Sequence, residues 1–410
     1  MPDAPSPDTI ILGGGLVGLT LALALDRSGL SSVVVDPLDP AQLTAPGFDG
    51  RASAIASASW RMMEALGLDH ALTPLGCPIR AIHVSEGAVG RRGLDFTTSD
   101  GDDPLGRMVP NRSLRRVLNE AAADAERITV LSGRTPARIT RDDHAARVTL
   151  DDRTELSSPL LVGADGRASP TRELAGLPAA RWSYNHSAIV TALTHERPHD
   201  NVAFEIFYPD GPFALLPLLD DEEGRHRSAL VWSVSRGDAA GLLKLGPRGF
   251  AAAAQPKSLD ALGRIELAAE RSTYPLGFHH AATIVSDRLA LVGDAAHGIH
   301  PIAGQGLNLG LRDAAALAEV IVEGRRLGLD AGDHQLLARY NRWRALDTLS
   351  VAGATDGLTR LFGVRGRAAA AVRATGLAAV ERIGPLKHVF MAEARGEAGR
   401  LPRLLQGMAA

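Results

Sequence analysis

Three carboxylates stand where short apolar runs end. Asp36 closes Ser32-Val-Val-Val-Asp36, Asp165 follows Pro159-Leu-Leu-Val-Gly-Ala, and Asp294 follows Leu289-Ala-Leu-Val-Gly293. Each run reads as a buried strand, and open α/β sheets gather their ligands at the carboxyl ends of such strands. A carboxylate there suits a ribose diol or another chain of hydroxyls. The third run continues through a Pro- and Gly-rich loop into a helix expected to start near Gly304. A helix N-terminus in the same crevice favours developing negative charge.

The elements around Asp36 give these carboxylates a ligand. Thr9-Ile-Ile-Leu12 reads as a strand, Gly13-Gly-Gly15-Leu-Val-Gly18 follows, and Leu19 to Leu25 continues as an apolar helix. This is G-x-G-x-x-G within a βαβ unit. Gly13 makes the tight turn, Gly15 lets the backbone approach a pyrophosphate, and Gly18 allows close helix–strand packing. A bound dinucleotide is the reading, with Asp36 on the adenosine ribose. A flavin dinucleotide satisfies the remaining features, through its ribityl arm and the N1/C2=O edge of its reduced ring. The stretch from Ile10 to Leu25 is too short for a membrane span, is broken by glycines, and has no positive charge before it, which also argues against a signal peptide.

Composition narrows the class. With 410 residues the chain has room for two domains and a helical tail. A net charge of -3 gives no reason to expect nucleic acid as a partner. The single cysteine, Cys77, excludes internal disulfides, suits a reducing cytoplasm, and reads as a small buried apolar residue. His297 and His300 lack a carboxylate at metal-ligand spacing, so no metal site is expected and His297 reads as a structural hydrogen-bonding residue.

The fold class expected is α/β. Residues 1–78, 101–180 and 281–345 would build a discontinuous Rossmann-like nucleotide-binding domain. Residues 79–100 and 181–280 would form an inserted, mainly antiparallel sheet for the substrate, since Ile79–Ser85, Ser187–Leu193, Val202–Tyr208 and Ser228–Ser233 alternate with a period of two. Residues 346–410 read as a helical region. A helix is expected over Ala52–Leu66, and another after Pro110 with Leu114 and Leu118 on one face. Glu126–Val148 reads as an antiparallel unit turning near Asp142-Asp143-His144. No second glycine motif stands in a strand–helix context, which argues against a two-dinucleotide reductase.

Taken together, the glycine motif, Asp165-Gly166 and Gly293-Asp-Ala-Ala-His297 with Pro301, Gly304-Gln-Gly306, Asn308 and Asp313 resemble the FAD-dependent aromatic hydroxylases related to 4-hydroxybenzoate hydroxylase. The Gly-Asp segment is similar more narrowly to the ubiquinone-biosynthesis branch. So are Asp49-Gly-Arg51-Ala, Gly211-Pro-Phe-Ala-Leu-Leu-Pro217 and Tyr274-Pro-Leu276, so that the resemblance covers about Thr9 to Lys387.

The resemblance implies an FAD domain of the glutathione-reductase type and assigns its contacts. Gly13, Gly15 and Gly18 would line the pyrophosphate, with Arg51 near it or the flavin edge. Asn111 would lie near the ribityl chain, with Asp165 and Asp294 at the two ends of the crevice. Gly304 opens the helix whose Gly306, Leu307 and Asn308 N–H groups would meet the pyrimidine edge. The His300–Pro301 loop would lie beside the reacting flavin carbon as the catalytic position, stiffened by proline. NAD(P)H and O2 enter as co-substrates, with oxygen transferred from a flavin C4a-hydroperoxide in a pocket that excludes water. Phe204, Ile206, Phe213, Leu215 and Trp232 are the expected apolar wall, alongside Phe207 and Pro217.

The implied partner is a hydrophobic phenolic molecule, a polyprenyl precursor of ubiquinone. Ala203-Phe-Glu-Ile206-Phe departs from the branch pattern Ala-x-Glu-Arg-Phe, and His186 stands where Gln is common. No catalytic base stands out, and a reactive phenol does not require one. The Arg-rich stretch from Arg360 to Arg403 suits either an anionic membrane surface or a solvated helical cap. Peripheral association with the cytoplasmic membrane or a biosynthetic complex, and a homo-oligomer, stay open. Two other readings remain: a soluble aromatic or polyketide hydroxylase, and a noncatalytic flavin-binding component.

Overall fold

The fold is taken from a computed structural model, which describes residues 6–43, 50–87, 93–99, 101–298, 305–345, 347 and 384–410. Its centre is a six-stranded sheet in the order Val285–Ser286, Leu289–Leu291, Leu160–Gly163, Thr9–Leu12, Ser32–Asp36, Ile128–Ser132. All neighbours run parallel except the terminal Val285–Ser286 pair. Thr9–Leu12, Leu160–Gly163 and Leu289–Leu291 are buried at every position, as their unbroken apolar composition requires of central parallel strands. The three runs that end near Asp36, Asp165 and Asp294 therefore lie in one sheet and open at one edge.

Among the described residues, helices including Leu16–Asp26, Gln305–Arg326 and Asn111–Asp124 pack in the layer over this sheet. Leu16–Asp26 is apolar almost all round and is buried from Gly18 to Leu25. Gln305–Arg326 packs against it and is buried through most of its length. A helix that is hydrophobic all round belongs in a core. Leu404, Leu405 and Ala410 join the same core. The end of the expected C-terminal region thus folds back onto the nucleotide-binding layers, with Arg403 N donating to Glu319 at 2.6 Å and Arg61 Nε to Leu405 O at 3.0 Å.

A nine-stranded sheet draws most of its residues from the expected insertions, with His297–Gly298 added at one edge from the third segment. Its main order is His297–Gly298, Ser272–Ala281, Ala179–His195, His226–Ser235, Gly211–Leu218, Val202–Tyr208, Ala81–Glu86, Leu94–Thr97. Ser187–Leu193, Val202–Tyr208 and Ser228–Ser233 lie in strands here, but Ile79–Ser85 is split: Ala81–Glu86 joins this sheet, while Ile79 ends a strand of another. Pairing is antiparallel except where Val202–Tyr208 meets Ala81–Glu86. A small sheet of Ala52–Ala56, Gly106–Pro110 and Cys77–Ile79 lies against one of its faces. Cys77 is buried there, and burial pushes its thiol up to about 11, which keeps it an inert apolar filler.

Two local expectations are corrected. Ala52–Leu66 is not one helix: Ala52–Ala56 pairs with Gly106–Pro110, and only Ser57–Ala65 is helical. Strand pairing overrides the helix propensity of alanine at this position. Ile128–Ser132 does not belong to an antiparallel unit but extends the parallel sheet beside Ser32–Asp36. The antiparallel unit is Pro136–Arg141, Ala146–Leu150 and Glu155–Ser158, and its turn is where expected, with Asp142 accepting from the N–H groups of His144 and Ala145. The helix Asn111–Asp124 buries Leu114 and Leu118 together.

Candidate flavin and substrate site

At the first turn the glycines have distinct steric reasons. Gly13 adopts φ +112°, and a Cβ on it would stand 2.3 Å from Ala164 O in the neighbouring strand's turn. A Cβ on Gly18 would stand 2.0 Å from Gly13 O, so the helix sits directly on the turn. Gly15 differs: no described atom lies within 4 Å of a Cβ built there, and it caps the helix Leu16–Asp26. That helix N-terminus borders open space. Asp36 braces the turn, its Oδ2 accepting from Gly14 N at 2.6 Å and its Oδ1 from Leu38 N at 2.8 Å.

Asp165 is likewise tied to its own segment. It accepts from Ser169 Oγ at 2.5 Å and from Thr171 N at 2.8 Å, while Ser169 caps the helix Pro170–Leu174. Arg172, fully buried, reaches across to the third segment and donates to Ala295 O at 2.8 Å. Asp294 behaves otherwise. Its side chain is exposed, yet the surrounding protein raises its carboxyl above the usual range by desolvation, against the opposing pull of His297 and Arg167. Asp294 thus presents an exposed carboxyl just after the strand Leu289–Leu291.

A buried charge network adjoins this segment. Asp313 Oδ2 accepts from Gly293 N at 2.9 Å and from His297 Nε2 at 2.6 Å, and its Oδ1 accepts from Arg344 Nε at 2.6 Å. Burial alone would push the Asp313 carboxyl up, but His297 and Arg344 outweigh it and hold it below the usual range. Arg344 also bonds Asp347 at 2.6 Å, and Tyr340 donates to Leu291 O at 2.9 Å. His297 therefore does have a carboxylate partner, 16 residues along the chain, where local spacing suggested none. His279 donates through Nε2 to Asp294 O at 2.7 Å, and burial lowers its imidazole to about 4. Asp313 is quoted in the sequence motif without a role, and Arg344 and His279 carry no sequence signal because nothing local marks a buried arginine or histidine off from the exposed ones.

The other end of the crevice is the start of Gln305–Arg326. Gly306 has no described atom within 4 Å of a built Cβ, and Leu307 is half-buried. The N–H groups of a helix's first turn have no partner inside the helix. Asn308 faces inward: it accepts from Ala56 N at 2.8 Å and donates to Ala54 O at 2.9 Å, clamping the helix to the small sheet. On that sheet Arg51 O accepts from Asn111 N at 3.0 Å, and Asn111 Oδ1 accepts from Ser53 Oγ at 2.7 Å. His300, Pro301 and Gly304 lie outside the described residues.

The expected apolar wall is corrected. Ile206, Phe213, Leu215 and Trp232 share one closed core with Phe250, Ala254 and Leu262, and Phe204 packs against it from a half-buried position. This core lies between the nine-stranded sheet and the helices Arg236–Lys244 and Pro247–Ala254. Alternation showed that each strand has an apolar face, but two faces are apolar here, and these residues occupy the one turned from the nucleotide-binding layers. The face opposite carries Ala203, Ala214, Leu216, Ala229 and Val231 towards Ala52, Ala54 and Met108 of the small sheet.

The FAD binding domain family matches residues 6–349. The chain belongs to that family. Ubiquinone hydroxylase UbiL of Rhodospirillum rubrum is 43% identical over 407 residues, covering 98% of this chain and 93% of the relative. The 3-demethoxyubiquinol 3-hydroxylase of Escherichia coli is 32% identical over 389 residues, 94% of this chain and 97% of the relative. Among solved structures, PqsL of Pseudomonas aeruginosa in complex with 2-aminobenzoylacetate is 26% identical with a TM-score of 0.77, over 91% of this chain and 99% of that one. The family membership extends to the ubiquinone-biosynthesis branch of FAD-dependent hydroxylases, and the chain is a flavin-dependent monooxygenase.

The crevice fits the cofactor of this FAD-binding family. At two helix N-termini no described residue lies within 4 Å of a Cβ built on Gly15 or Gly306, and such ends suit a pyrophosphate and the charge on a reduced ring. Asp294 adds an exposed acceptor just after the strand Leu289–Leu291.

Proposed function

We propose that this monooxygenase hydroxylates the aromatic ring of a polyprenyl phenol or quinone precursor in ubiquinone biosynthesis, using NAD(P)H and O2. Bound FAD, once reduced, supplies the oxygen activation. The observation carrying the reading is end-to-end similarity to two ubiquinone-pathway hydroxylases, joined to two helix N-termini whose Gly15 and Gly306 no described residue crowds.

In this reading Gly13, Gly15 and Gly18 hold the pyrophosphate, and Asp36 shares its remaining lone pairs with the ribose. Arg51 and Asn111 flank the flavin arm, Asp165 shapes its turn, Asp294 accepts ribityl hydroxyls, and the N–H groups of Gly304, Gly306, Leu307 and Asn308 face the pyrimidine edge. The His300–Pro301 loop borders the reacting carbon. The domain division at 78, 100, 180, 280 and 345 follows the same reading. Residues of the cofactor layer position and exclude water, while the nine-stranded sheet holds the ring.

A lipid-borne substrate favours work at the inner face of the cytoplasmic membrane. Among the described residues no helix is long and apolar enough to cross a membrane. Exposed Val389 and Phe390, on the helix Gly384–Ala394, would make the peripheral contact. The test of function is lipid profiling of a strain lacking this gene. A prenylated phenol short of one ring hydroxyl accumulates if the proposal holds, and unchanged ubiquinone with no such intermediate refutes it.

A further inference from the structure

The strand Val202–Tyr208 sends Phe204 and Ile206 into the helix-covered core, so Ala203, Glu205 and Phe207 face the opposite way. Ala203 lies in the cluster that meets the small sheet, which fixes the direction of that face. Glu205 is paired in register with Val84 on one side and Ala214 on the other, and Ala214 is paired with Val231. Its row is otherwise apolar from Leu94 through Val84, Ala214 and Val231 to Val190, and Ser272 ends it on the far side. Glu205 is only 7% exposed, and no described residue hydrogen-bonds or ion-pairs with its carboxyl group.

The face around it does not close. Ala203 and Ala214 are small, and Val84, Leu216 and Val231 are only half-buried, although Val84 and Leu216 pack against the cluster that includes the small sheet. Apolar side chains so placed border a slot. A carboxylate buried without a partner is costly, and such a group is tolerated where a ligand supplies the missing hydrogen bond.

We propose that Glu205 receives the phenolic hydroxyl of the substrate, accepting its hydrogen bond and then its proton while the ring is oxidised. The step rests on the hydroxylase reading above. The phenol O–H bond breaks, an Oε–H bond forms, and the electron pair left on oxygen enriches the ring towards the electrophilic oxygen atom. The oxidant is O2 and the reductant NAD(P)H, so that one oxygen atom enters the ring and the other leaves as water. Ring C–H loss after hydroxylation releases a second proton, and Glu205 returns its own to solvent with the product.

Desolvation raises the Glu205 carboxyl to about 7, which places it where a general base works best near neutrality. Burial is the whole of that effect. The charged and titratable groups on the elements packed against this face are Glu86 on the adjoining strand, Cys77 and Arg107 on the small sheet, and His388, Glu393 and Arg395 around the helix Gly384–Ala394. None of them contributes a charge effect at Glu205.

The test is titration of the oxidised holoenzyme with a short-chain 2-prenylphenol, followed by flavin absorbance from pH 6 to pH 8. With only the ionised carboxylate competent, the wild-type Kd tightens about tenfold over that range. Glu205→Gln binds more weakly at pH 8 and shows no slope, and Glu205→Asp keeps the slope at reduced affinity. The methyl ether of the same phenol, which has no proton to give, binds the wild type without pH dependence. A flat wild-type profile, or a slope retained in Glu205→Gln, overturns the assignment. Should no phenol perturb the flavin or stimulate NAD(P)H oxidation at any pH, the hydroxylase reading itself fails, a result distinct from a flat binding curve.

Discussion

The cofactor crevice and the substrate-facing sheet solve opposite problems with polar groups. In the crevice, carboxylates are spent on the protein's own backbone. Asp36 holds Gly14 and Leu38, Asp165 holds Thr171, and Asp313 holds Gly293. What this leaves for a ligand is mostly backbone N–H at two helix ends, a rigid and pre-organised surface. On the sheet the reverse holds: the environment is apolar, and its one buried carboxyl, Glu205, has no partner among the described residues. A tightly held cofactor suits the first arrangement. A substrate that comes and goes suits the second, because it alone completes the hydrogen bond.

The comparison breaks most readily at Asp313. Replacing it with alanine leaves Arg344 and His297 buried without their shared partner, at a cost of about 3–5 kcal/mol. Denaturant unfolding should show that loss together with release of FAD; a cost below about 1 kcal/mol would mean the network is not structural. Next comes Trp232→Ala, which should cost about 3–5 kcal/mol as a core truncation. The folded fraction should keep its KM for phenol, since Trp232 lies on the helix-covered face; a KM raised more than a few-fold would return it to the pocket.

A smaller effect concerns pH. His279 is depressed to about 4 from an ordinary 6.5, so the unfolded chain binds a proton that the folded chain refuses. Its contribution is fully present above pH 6.5 and is lost as pH falls towards 4, at up to about 1.4 kcal/mol per pH unit. His279→Phe should make the acid limb of the stability curve shallower by about one proton. An unchanged slope would show that His279 protonates freely in the fold.

Much of the crevice is legible in the sequence because its geometry is local. Gly13 and Gly18 are dictated by contacts of 2.3 and 2.0 Å that only glycine survives, and strand-ending carboxylates mark the sheet edge. The sheet was legible as strands but not as faces. Alternation in Val202–Tyr208 separates Phe204 and Ile206 from Glu205, yet nothing in the period says which side the helices Arg236–Lys244 and Pro247–Ala254 will cover. The Arg172–Ala295 and Asp313–Arg344 links were hidden for another reason: they join residues 123 and 31 positions apart, and no local pattern specifies them.

The most direct test supplies the FAD-loaded protein with NAD(P)H, a polyprenyl phenol and ¹⁸O-labelled dioxygen, and weighs the product. The account predicts a ring-hydroxylated phenol carrying one labelled oxygen atom, formed in step with NAD(P)H consumed. Hydrogen peroxide as the sole oxygen product across polyprenyl phenols of differing ring substitution would contradict it.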